Sequence, residues 1–172
     1  DDTARVSMIN DGTNAFSTWN LAGFTETVGS LELTAVSSSS TGTKVLLNGG
    51  TLVMNGGIVF NNNRGAAGNS GDGTAGSAGT LDLGGASRTI TVETNQTTNA
   101  PGSDAGIEVA ITNGGIIKEG SRTLFLSGTN TYSGPTIINE GAISISSASN
   151  LGDGSVTNSL TLRDGATLRS TG

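Results

Sequence analysis

The chain has 172 residues, with 28 glycines, 33% apolar residues, 3% aromatics, a formal charge of −6 and neither histidine nor cysteine. So little bulk leaves a wide globule short of the burial that offsets chain entropy, and favours a narrow coil with a thin aliphatic interior and glycine at its corners. The charge excludes a basic footprint for nucleic acid and a cationic surface for anionic lipid, and the missing residue types exclude a disulfide framework, cysteine metal sites and histidine-based triads.

Residues 1–20 are polar, with Val6 and Met8 alternating before an Asn10-Asp11-Gly12 turn. Phe16 and Trp19, two of only six aromatics, read as core filler or an end plug. From Leu21 onward short apolar pairs recur around one residue that can face water: Leu31/Leu33, Val45/Leu47, Leu52/Met54, Ile58/Phe60, Leu81/Leu83, Ile90/Val92 and Ile107/Val109/Ile111. Leu124/Leu126, Ile143/Ile145 and Leu160/Leu162 follow at intervals of about twenty residues, around Phe125, Ser144 and Thr161. Period-2 alternation predicts strands with one buried face, and one strand per lap predicts a coil stacked on itself. Turns ending in glycine separate the pairs, as at Asn48-Gly49-Gly50, Asn139-Glu140-Gly141 and Arg163-Asp164-Gly165. No segment has a helical period, so almost no helix is expected. Eight or so laps at ~4.8 Å would make a rod of roughly 35–45 Å.

The segment 115–172 anchors this pattern. Its string LSGTNTYSGPTIINEGAISISSASNLGDG resembles the passenger-associated strand repeat of bacterial autotransporters. The matching positions are Leu124, Leu126, Ser127, Gly128, Asn130, Thr131, Tyr132, Gly134, Thr136, Ile137, Gly141, Ile143, Ile145, Leu151, Gly152 and Gly154. WNLAGFTETVGSLELT, from Trp19 to Thr34, resembles a segment that commonly precedes such repeats in large bacterial surface proteins. The resemblance implies an all-β, right-handed parallel β-helix on the bacterial surface or outside the cell. The expected organisation is a single β-helical segment, 1–172, of a longer repetitive protein. The chain opens on a polar Asp1-Asp2-Thr3 and ends within its own pattern, so flanking repeats of the same protein are expected partners.

Two stretches break the rhythm. Residues 61–80, NNNRGAAGNSGDGTAGSAGT, have no aliphatic larger than alanine and predict a protruding glycine-rich loop. Arg64, Asn69 and Asp72 are its candidate contact residues, because loops on rigid rods often carry binding. A calcium site on Asn69 and Asp72 lacks the iterated Gly-Gly-x-Gly-x-Asp pattern. The second stretch, 94–104, predicts a polar surface loop, in which Asn95-Gln96-Thr97 forms a glycosylation triplet.

Chemistry is sparse. Carboxylates that could pair across laps are Glu26, Glu32, Asp82, Glu93, Asp104, Glu108, Glu119 and Glu140, with Arg88 or Lys118 as possible bases for a polysaccharide lyase. Glu32, Asp82 and Glu108 lie between aliphatics and should point outward. No spacing singles out a catalytic residue, a metal ligand or a cofactor site, and no enzyme activity is expected. The expected role is structural: a stalk, adhesin shaft or fibre in which identical copies join through open coil ends or side loops. The alternatives are a module whose 61–80 loop binds surface glycans, and a β-helical polysaccharide-active enzyme. No nucleic acid partner and no membrane contact by this segment are expected.

Overall fold

The computed structural model describes residues 3–10, 16–35, 42–62, 73–75, 78–93 and 105–171. Successive laps run β1 (Arg5–Asn10), β2 (Ser17–Asn20) and β3 (Thr25–Val28), then β4 (Ser30–Ala35), β5 (Thr43–Leu46) and β6 (Thr51–Met54). β7 (Ile58–Asn62) and β8 (Gly73–Ala75) lead into β9 (Thr80–Glu93), and β10 (Ala105–Ile107) leads into β11 (Ala110–Glu119). The last laps carry β12 (Thr123–Leu126), β13 (Thr136–Ile138), β14 (Ala142–Ile145), β15 (Leu160–Leu162) and β16 (Thr167–Ser170). Every strand pair among the described residues is parallel. The all-β solenoid expected from the alternation is therefore present, with one short 3-10 turn at Ala148–Leu151.

The laps fold into three faces. The first follows β1-β4-β7-β9-β11-β13-β15 and the second β2-β5-β8-β10-β12-β14-β16. β3, β6 and the opening residues of β9 and β11 form the third. β9 turns from the third face to the first at Gly84 and Gly85, whose φ angles of 64° and 76° suit glycine. Beyond β11 the third face gives way to two arcs without strands, 127–135 and 146–159.

Seven strands on each long path give a stack of roughly 30 Å at ~4.8 Å per step. That is shorter than the spacing of apolar pairs predicted. Pairs on neighbouring faces, such as Leu52/Met54 and Ile58/Phe60, belong to one lap rather than two. Laps also vary in length; along the first face they run from the 20 residues between Lys118 and Ile138 to the 32 between Ile58 and Ile90.

The interior is a set of columns. Leu31, Ile58 and Ile90 stack on the first face, Leu52, Leu81 and Ile111 on the third, and Leu124 and Ile143 on the second; all are buried. Each such side chain contributes about 1.5–3 kcal/mol by leaving water. Leu160 and Leu162 were expected to be buried but are 41% and 45% exposed, because β15 pairs only with β13 among the described residues. Ser144 departs in the opposite direction. Its outward position is only 3% exposed, between Phe125 and Arg169 of the laps on either side.

The predicted 61–80 loop is not one loop. Asn61 and Asn62 close β7, and the backbone of Gly73–Ala75 forms a strand between β5 and β10. A rung must run there because the ladders of both neighbours need hydrogen-bond partners.

Candidate functional site

The sequence-matched arcs are held by two buried asparagines, twenty residues apart. The Asn130 carboxamide accepts from the Ile111 backbone at 2.8 Å and donates to the Asn150 carbonyl at 2.6 Å. Asn150 accepts from the Ser146 and Ser147 amides at 3.0 and 2.8 Å, and donates to the Gly128 carbonyl at 2.9 Å. An amide side chain carries both donors and an acceptor, so one residue type can bridge three laps. Asn150→Ala leaves three backbone groups without these partners and should cost about 3 kcal/mol or more, read as a lowered urea midpoint.

Tyr132 is fully buried and shares a 2.7 Å hydrogen bond with the Thr136 hydroxyl. Burial pushes its pKa from 10.0 up to about 12, against a smaller opposite effect of that hydrogen bond. A raised folded-state pKa means the stabilisation is complete below pH 10 and is lost as pH rises through 12. At full ionisation this amounts to about 3 kcal/mol. Tyr132 is the only tyrosine, so tyrosinate absorbance should appear together with alkaline unfolding in the parent chain. Tyr132→Phe should flatten that alkaline loss while lowering neutral-pH stability by about 1 kcal/mol.

The predicted outward carboxylates do point outward, yet several are engaged by neighbouring laps. Glu32 accepts from Arg5, from Ser7 at 3.2 Å and from Asn61 at 2.9 Å. Asp82 caps its own turn through the Gly84 amide at 2.7 Å and accepts from Asn113 at 3.0 Å. Glu119 accepts from Asn139 at 2.5 Å, and Glu93 from Ser121 at 3.4 Å. Glu26, Glu108 and Glu140 are exposed. Among the described residues no three of His, Cys, Asp and Glu converge to hold a metal ion. Asp104, the loop residues Arg64, Asn69 and Asp72, and the 94–104 segment lie outside the described residues.

Both suggested bases are committed to the scaffold. Arg88 donates to the carbonyls of Leu83 at 2.8 Å and Asn55 at 2.6 Å, closing the corner of β9. Lys118 does not face water at all. It is fully buried in the first-face column, opposite Ile90 below and Ile138 above. Its ammonium donates to the carbonyls of Glu119 and Gly120 at 2.6 Å each and of Glu140 at 3.3 Å. The alternation of Ile116 and Lys118 around Ile117 was the available signal, masked by the habit of placing lysine outside.

The second face differs from the first. Its outward positions include Lys44, Gly106, Phe125 and Arg169, carried on β5, β10, β12 and β16. The Lys44 ammonium lies 4.3 Å from the Phe16 ring centroid, so Phe16 is a surface cation–π partner rather than core filler. Phe125 is 43% exposed, and Arg169 donates to the Thr123 hydroxyl at 3.4 Å. Trp19 is half-buried against the core, as expected.

Residues 116–145, spanning Lys118, Asn130 and Tyr132, match the family described as passenger-associated-transport-repeat. No curated protein and no solved structure matches the chain.

Proposed function

We infer that this parallel β-solenoid, whose residues 116–145 match the passenger-associated-transport-repeat family, is a structural shaft of an autotransporter passenger, secreted or displayed at the cell surface. The observation that carries this reading is the unbroken strand pairing along both long faces. Such a ladder gives reach and stiffness through backbone bonds between laps, while the outward side chains are left to vary. The engagement of Arg88 and Lys118 by backbone carbonyls supports a non-catalytic role, since neither side chain is poised over a carboxylate pair.

Small-angle scattering with light scattering, over a range of protein concentrations, tests the reading. An elongated particle of constant monomer mass is the expected result. Mass and length that grow together would replace the shaft with a self-assembling fibre. A compact particle, or product release from a panel of polysaccharides, would overturn it.

A further inference from the structure

We propose that the second face binds an acidic polysaccharide laid along the rod axis. The outward column there reads Lys44, Gly73, Gly106, Phe125, Ser144 and Arg169 in successive strands. Among the described residues, two glycines in consecutive rungs form a low floor in this column, between the Lys44–Phe16 pair and Phe125. A sugar unit advances along its chain by about one strand spacing, so a polymer lying along the column meets one rung per unit. The exposed Phe125 ring offers an apolar plate to the C–H face of a pyranose, and Lys44 and Arg169 meet carboxylates on either side of it.

Charge selects an anionic polymer. The chain is acidic overall at −6, yet no described strand of this face carries a carboxylate; Glu108 follows β10, and Glu140 and Asp164 lie in the turns before β14 and β16. Glu32, Glu93 and Glu119 all lie on the first face. Lys44 and Arg169 therefore stand on strands free of carboxylates, with the acidic row of the first face across a corner of the solenoid. This inference is independent of the shaft reading, which concerns the ladder beneath the surface.

Calorimetry of the whole chain with polygalacturonate, and with dextran as the neutral polymer, tests it. Saturable binding to polygalacturonate that weakens with added salt is expected, with none to dextran. Phe125→Ala, and Lys44→Gln combined with Arg169→Gln, should each weaken binding by roughly tenfold. Gly106→Leu should do the same by raising the floor. Glu108→Gln should strengthen binding, and Glu119→Gln on the first face should leave it unchanged. Circular dichroism establishes that each variant keeps the solenoid. Binding to neither polymer, equal binding to dextran, or lane variants that bind as the parent does would overturn the proposal. So would a dimer that Phe125→Ala dissolves, which would assign the lane to a second copy of the chain.

Discussion

Replacing Gly128 with valine is expected to move the urea midpoint far below that of the parent chain, with a loss of about 3 kcal/mol or more. A Cβ at this position falls on the carbonyl oxygen and carbon of Val109 in the lap beneath, close to the Ala110 amide nitrogen. These are backbone atoms, so no rotamer change relieves the clash, and the two laps must separate. Separation also pulls the Ile111 amide of the lap beneath from the Asn130 carboxamide oxygen that accepts from it. The effect is therefore a packing cost and a broken bridge together. Gly106→Ala is the control, because an added Cβ there meets Phe125 at 3.8 Å, an ordinary contact. That variant should stay within about 0.5 kcal/mol of the parent. Equal stability of Gly128→Val and the parent would show that the arc at 127–135 does not rest on the lap below it.

The second large effect is expected at Lys118. Lys118→Glu should abolish the cooperative transition of the laps around β11 to β13, because it places a carboxylate among three carbonyl oxygens with no water to solvate it. Lys118→Ala should cost about 3–5 kcal/mol by removing the cation from buried acceptors. Lys118→Met should be milder than either, because it refills the column between Ile90 and Ile138 with an apolar chain of similar length. Hydrogen exchange of the β11 and β13 amides, with urea melts of the three variants, reads this order. If Lys118→Glu melts with the parent, the ammonium is not needed inside the column.

The strands were legible because a pair of aliphatics one residue apart, bounded by glycine turns, has few other uses in so glycine-rich a chain. Leu31/Leu33 and Leu124/Leu126 needed no structure to be placed. Their assignment to faces was not legible, since a pair carries no mark of which face it lines. Counting pairs therefore overestimated the laps. Asn130 and Tyr132 were visible as part of a resemblance, but their physical role was not. Asn130 matters because Asn150 stands one lap above it, which requires the lap length. Lys118, named only as a possible base, was not recognised as a core residue for an instructive reason. Residue type argued for solvent, while position, two residues after the inward Ile116, argued for the core. In a solenoid the register decides. The cationic second-face lane was hidden because Lys44, Phe125 and Arg169 are scattered over 126 residues of sequence and meet only through strand stacking.

The unequal laps have a consequence for how such a molecule bears load. Each lap adds the same ~4.8 Å of height however much chain it contains. A lap peeled from the end of the stack gives up that small height and releases its full contour instead. The 20-residue lap between Lys118 and Ile138 would release roughly 70 Å of chain, and the 32-residue lap between Ile58 and Ile90 about 110 Å. A pull on one end is thus met first by a stiff column and then by stepwise lengthening, with the longest steps stored where the loops are longest.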